Sequence, residues 1–309
     1  MELIRRLTAP RAQPLESVVT IGTFDGLHVG HQALIARVLE HSAVSGLRAA
    51  LVSFEPMPRE YLQAGAPPAR LTNFRERWHL LESLGLDAFC QLPFNERLRA
   101  QSGSEFLGAL VAWGARQVII GHDFRFGHGG KADAQWCLGQ AEALGIAVEV
   151  IAPVLLEGER ASSGLVREAL AHGQFRRAAQ LLGRPYTMRG RVQRGRELGR
   201  TLGFPTANLA LHRRKAPLSG IFAVRVHGPG IMGWPGVASL GTRPTVDGIE
   251  PLLEAHLFDW SGNLYGAELE IEFVGKLRDE LKFESLPLLV AQMHRDAAQA
   301  RALLQGQDA

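Results

Sequence analysis

Cysteine and lysine are scarce in this 309-residue chain, and long apolar runs are missing altogether. Cys90 and Cys137 lie far apart without C-x-x-C spacing, which excludes a disulfide framework and a thiolate zinc site, so buried free thiols are expected. Because lysine is nearly absent, arginine carries almost all the positive charge, and an isolated arginine is weak evidence for a site. The net charge of +3 and pI near 9.1 suit anionic ligands such as nucleotides. They fall short of a nucleic-acid footprint, and Arg213-Arg214-Lys215 has neither a stacking strip nor a helix-turn-helix pattern beside it. No segment offers the roughly eighteen uninterrupted apolar residues of a membrane span, and MELIRRLTAPRAQPLE has no apolar run of signal length. A soluble, cytoplasmic protein is therefore expected, and there is no internal repeat or low-complexity tract.

What is present is 46% hydrophobic and 21% charged residues, a globular balance. Over the first 150 or so residues, short apolar runs (VVTIG, AALVSFEP, DAFCQL, QVIIG, AVEVIAP) alternate with segments of helical spacing such as HQALIARVLEHS, NFRERWHLLESLG and SEFLGALVAWG. That alternation predicts β-α-β units, hence an α/β, Rossmann-like domain: a parallel sheet with helices on both faces. Two further helical patterns, SGLVREALAHG and QFRRAAQLLG, close on Gly183-Arg184-Pro185. From Tyr186 to about Val274 the chain is glycine-rich with β-type runs, predicting an antiparallel β-barrel, and SLPLLVAQMHRDAAQARALL is helical by period. The boundary is placed near 185, giving domains 1–185 and 186–309.

The stretch TIGTFDGLHVGHQAL, 20–34, reads as a strand end, a glycine-broken turn and a helix start. In a doubly wound sheet such a turn lies where backbone N–H groups meet phosphate oxygens. His28 and His31, three apart, share a face of the first turn and can contact one phosphate, stabilising charge that grows on an α-phosphorus as pyrophosphate leaves. Alone, H-x-x-H is equally a pair of satisfied polar residues or half a metal site, though neither H-E-x-x-H nor a thiolate supports zinc. The whole string G-x-F-D-G-x-H-x-G-H resembles the H-x-G-H nucleotidyltransferases, in particular their flavin-adenylating branch. The resemblance implies that Gly22, Phe24, Asp25 and Gly30 line the ATP phosphate turn. It also implies a serine pair with an arginine one turn on, found here as Ser162, Ser163 and Arg167, holding the β- and γ-phosphates. Those serines would also serve as an ordinary helix cap. Gly164 stands where the family usually has a hydroxyl. In IIGHDFRFG, 119–127, Asp123 suits a ribose or flavin contact and Phe124 or Phe126 a ring wall, or else the two phenylalanines are core. The loop at 128–132 departs from the family pattern, although Asp133 is kept.

In GRVQRGRELGRTLGFPTANL, 190–209, Gly190, Gly195 and Gly199 allow a loop to close on phosphates, and Pro205 fixes the turn presenting Thr206 and Asn208. Thr206 and Asn208 offer neutral oxygens on one side of a strand, which suits Mg²⁺ delivered with ATP. A glycine-rich hairpin accounts for the glycines but not for P-T-A-N. That string, with L-E-A-H-L-F-D, G-T-R-P-T and L-R-D-E-L-K-F, resembles riboflavin kinase. The resemblance implies that Glu254 is the general base and that Arg278 and Phe283 border the flavin.

Both halves, in order and over nearly the whole chain, resemble the bacterial bifunctional riboflavin kinase/FMN adenylyltransferase (FAD synthetase) family. The implied activities are phosphorylation of riboflavin to FMN by MgATP in the C-terminal domain and adenylylation of FMN to FAD in the N-terminal domain. Implied alongside them are small-molecule substrates, no nucleic-acid or membrane partner, and a monomer or weak homo-oligomer. The alternatives are the same scaffold with one module active, or a flavin-binding regulatory protein.

Overall fold

The structure is a computed structural model that describes residues 1–7, 16–195, 198–245 and 248–306. The chain forms two compact units, Met1–Pro68 with Arg77–Ser162, and Ala69–Glu76 with Ser163–Ala309.

The first unit is built on β1 (Glu2–Ile4), β2 (Ser17–Ile21), β3 (Arg48–Glu55), β4 (Ala88–Pro93), β5 (Ala115–Gly121) and β6 (Ala147–Ile151). All neighbours pair in parallel, in the order β1-β4-β3-β2-β5-β6. From β2 the chain winds outward through β3 and β4, then returns to the other side of β2 as β5. The carboxyl ends of β2 and β5 therefore flank the switch point, where ligands of such sheets bind. Side chains alternate across the sheet. Val19, Ile21, Val52 and Ile120 pack with Phe106 and Leu110 of the helix Gly103–Trp113 and Cys137 of the helix Ala134–Leu144. The intervening Val18, Leu51, Phe89 and Ile119 are buried as well, as a parallel sheet covered on both faces requires. The helix Val29–Ser45 lies against β2, β3 and β5 and buries Ile35 and Val38. Cys90 and Cys137 are free and buried, which pushes their thiols up to about 12 and about 11. Both are thus kept from thiolate chemistry near neutral pH.

The edge strand β1 is too short to carry a periodic signal, and the sequence reading did not anticipate it. Aspartate 133 caps the helix Ala134–Leu144, accepting from the Trp136 amide at 2.9 Å.

In the second unit, β7 (Thr187–Gln193), β8 (Ala207–Ala210), β9 (Gly220–Gly228), β10 (Ile231–Thr245), β11 (Gly248–Leu257) and β12 (Glu268–Arg278) close an antiparallel barrel. Their order around it is β7-β8-β11-β10-β9-β12. Leu209, Ala238, Leu240, Leu253 and Ala255 are buried inside it, so Asn208, Ser239 and Glu254 stand on the outer face. The helix Leu286–Gln305 covers part of that face, with Ala300 and Leu304 against Ala223 and Phe258.

The compact units do not divide at residue 185, where the composition changes. The helices Ser163–Ala171 and Phe175–Leu182 belong to the barrel unit. Phe175 lies edge-on to Phe222 at 5.9 Å and 6.4 Å from Phe273, contacts between residues remote in sequence. The peptide Ala69–Glu76 joins the same unit through Arg213, whose side chain is fully buried. Arg213 donates to both Glu76 carboxylate oxygens at 2.6 Å and to the Leu71 carbonyl at 3.2 Å. The Tyr186 hydroxyl donates to that carbonyl at 3.0 Å, and the Arg189 amide to Glu76 at 2.8 Å.

Candidate functional site

In the first unit, the turn after β2 is held in a conformation that most side chains avoid. Phe24 (φ 49°), Gly26 (φ 81°) and Leu27 (φ 45°) all lie in the left-handed region, which disfavours the two non-glycines. Burial of Phe24 and Leu27 offsets that strain. Asp25 is buried within the turn, and Gly22 keeps it on the sheet by donating to the Val52 carbonyl at 3.0 Å. The helix Val29–Ser45 then starts with extended His28 as its N-cap residue. The imidazoles of His28 and His31 stack at 3.7 Å with 25° between their planes, and Phe24 lies 5.0 Å from His31. A Cβ on Gly30 would come within 3.1 Å of the His28 ring, so glycine is what leaves that ring its place. Burial, and next the neighbouring His28, hold His31 well below the usual imidazole range. It is neutral at pH 7, and an arriving phosphate would favour its protonation. The buried His31 Nδ1 has no hydrogen-bond partner among the described residues.

Arg77 was missed in the sequence. Its side chain is fully buried and donates to the Thr23 carbonyl at 3.0 Å and to the Glu55 carboxylate at 3.2 Å. Ser53 donates to the same carbonyl at 3.1 Å, and Gln91 to Glu55 at 3.2 Å. The turn that carries the histidines is thus braced from β3 and β4 by groups with no local sequence signature. Arg77→Met should cost the first unit about 3 kcal/mol, the low end for breaking a buried pair because Glu55 reaches solvent. Arg77→Lys should recover part of this, and denaturant unfolding of the two variants measures both.

The other residues of this half named from the sequence have the following partners. Asp123 is exposed and paired with Arg160 at 2.6 Å. Phe124 stacks on Phe126 at 5.2 Å, and Phe126 also packs against Phe106 and Trp136, each at 5.7 Å. The Phe126 ring is partly buried and packs against the core of the unit. Ser162 ends the first unit, whereas Ser163 and Arg167 belong to the second, where Arg167 donates to the Ala69 carbonyl at 2.5 Å.

In the second unit, Asn208 stands opposite Glu254 in the β8–β11 ladder, and Glu254 stands opposite Ser239 in the β11–β10 ladder. Directly opposed residues share a face with Cβ atoms about 5 Å apart, so the three form one row on the outer face. The sequence reading included Glu254 and Asn208 but not Ser239, because pairing between strands is not written in either strand alone. Asn208 is cradled, since a Cβ on Gly195 would fall 2.6 Å from its carboxamide. A Cβ on Gly199 would collide with the Phe204 carbonyl. Gly190 is under a further demand from its own strand. It sits inside β7, where a Cβ would lie 2.8 Å from the Ala210 carbonyl, so strand packing there requires glycine. Arg196 and Glu197 of the glycine-rich segment lie outside the described residues. A cavity of about 210 Å³ opens beside Asn208, lined also by Gln193, Arg194, His212 and Leu252. Arg278 is drawn to the terminal helix, where it donates to Asp296 at 2.7 and 2.9 Å, with its guanidinium 5.8 Å from the Phe283 ring. Thr206 and Asn208 provide a hydroxyl and a carboxamide, a donor set that fits Mg²⁺ whose other ligands are phosphate oxygens.

A family model described as FAD synthetase matches residues 11–165, and one described as riboflavin kinase matches residues 182–304. The bifunctional riboflavin kinase/FMN adenylyltransferase of Pseudomonas fluorescens is 42% identical over 98% of both chains. The chain belongs to this family. The Escherichia coli K12 member is 40% identical over 97% of both chains. A crystal structure described as a macrolide-efflux protein from Streptococcus pneumoniae is similar over 96% of both chains, at 30% identity and a TM-score of 0.78. Its description is that protein's own. Among the described residues here, no helix is long and apolar enough to cross a membrane. Family members are enzymes with riboflavin kinase in the C-terminal part and FMN adenylyltransferase in the N-terminal part, and the barrel and parallel sheet fall in those two parts.

Proposed function

We propose that this chain, as a bifunctional riboflavin kinase/FMN adenylyltransferase, runs its two phosphorus substitutions on separate sets of residues. In the kinase, Glu254 takes the proton of riboflavin's ribityl hydroxyl. The hydroxyl oxygen then bonds to the γ-phosphorus of ATP while the bond to the β-phosphate oxygen breaks, giving FMN and ADP. Thr206 and Asn208 would hold Mg²⁺, which neutralises phosphate charge when bound. Gly195 and Gly199 let backbone close on the nucleotide, and Arg278 and Phe283 border the flavin. The row of Glu254 beside Asn208 supports this reading, because it sets a base next to the metal perch on one rigid face.

In the adenylyltransferase, an oxygen of the FMN phosphate attacks the α-phosphorus of a second ATP and pyrophosphate leaves. The attacking group is already anionic and needs no strong base. His28 and His31 stabilise the growing charge as donors, and the turn of Gly22, Phe24, Asp25 and Gly30 receives the phosphates. Ser162, Ser163 and Arg167 keep the role their motif implies, holding the departing phosphates. Asp123 and Phe124 contact the nucleotide or flavin. Both steps are placed in the cytoplasm, with the chain a monomer or weak homo-oligomer. Incubating the protein with riboflavin, ATP and Mg²⁺ should yield FMN first and FAD later, resolved by chromatography. FMN without FAD would reduce the reading to one active module.

A further inference from the structure

We infer that His256 is a positioning residue for the Thr206–Asn208 perch, acting as a hydrogen-bond donor through Nδ1. The inference rests on the kinase reading above. His256 lies on the same strand as Glu254, two residues on, and therefore on the same outer face. Its Nδ1 is 2.8 Å from the Pro205 carbonyl oxygen. A carbonyl can only accept, so Nδ1 carries the proton. The proline ring fixes φ of residue 205, and a donor on its carbonyl fixes the orientation of the peptide plane that follows. That plane ends at the Thr206 Cα. One hydrogen bond thus removes the last soft torsion before the perch.

The approach to Pro205 is held as firmly. Phe204 is 6% exposed, and its ring lies 5.1 Å from His256 and 4.9 Å from His294 of the terminal helix. Its amide donates to the Gly199 carbonyl at 2.8 Å. With Phe204 seated and Pro205 rigid, the His256 donor ties the perch to the strand that carries Glu254. Base and metal ligands then keep a fixed separation while the nucleotide comes and goes.

The test uses the whole protein with His256→Asn, His256→Gln and His256→Ala. Asparagine carries an amide nitrogen at the same distance along the side chain as Nδ1, whereas glutamine reaches as far as Nε2. Expected is an Asn variant within about threefold of wild type, and Gln and Ala variants about 10- to 100-fold lower in kcat/KM for MgATP, the scale of a displaced reacting group. Calorimetric titration with MgADP, without turnover, should weaken in the same order. FAD formation from supplied FMN should hold in all three, and thermal unfolding of the barrel unit reports an intact fold. If the Ala variant loses that too, the Asn and Gln pair decides. Gln equal to or better than Asn, or three variants alike, would overturn the inference. Thr206→Ala checks the underlying reading separately, since undiminished FMN formation there removes the perch whatever His256 does.

Discussion

His28→Ala should lower FAD formation from supplied FMN by at least ~10²-fold, the typical cost of removing one donor to developing charge. Riboflavin phosphorylation should be unchanged. The two imidazoles stack at 3.7 Å, and His31 is held neutral by burial and by its neighbour. Two imidazoles this close disfavour two positive charges, and an incoming phosphate favours protonation of His31. Removing His28 leaves one ring facing charge that two were arranged to meet. It also empties the space that Gly30 keeps open. Separate assays of FMN and FAD production on one preparation measure the effect, and equal loss of both activities would contradict two independent sites.

The reciprocal result is expected of Glu254→Gln, in which FMN formation falls by ~10²–10⁴-fold, the range for loss of a general base. FAD formation from added FMN should persist. The amide preserves shape and hydrogen bonding on the barrel face between Asn208 and Ser239, so folding is spared and only proton acceptance is lost. A drop of less than about threefold, within the scatter of a surface substitution, would move the base elsewhere.

Much of this architecture was legible because its signals are local. Parallel strands buried on both faces read as short apolar runs, and the histidine turn, the serine pair and P-T-A-N are contiguous strings that carry the family resemblance. What stayed hidden depends on contacts between distant residues. Arg77 is one arginine among many in a helical segment until Thr23 and Glu55 arrive from the turn after β2 and the end of β3. Ser239 joins Glu254 only through strand register. The packing demand on Gly190 is set by the Ala210 carbonyl of a neighbouring strand, which the string 190–209 does not reveal. The boundary at 185 followed the change in composition, while the packing of Phe175 on two barrel phenylalanines assigns the preceding helices to the barrel unit. Arg278 is engaged by Asp296, a partner eighteen residues on that no motif announces.

The clasp of Arg213 on Glu76 bears on how such a polypeptide can evolve. Eight residues from the amino-terminal half, Ala69 to Glu76, are structural parts of the barrel unit. A gene split between residues 76 and 213 would therefore leave a buried guanidinium without its counter-ion, at a cost of several kcal/mol. Fission of the two enzymes would first require that arginine to be replaced by something apolar, so the clasp acts as a ratchet that keeps both reactions in one translated product.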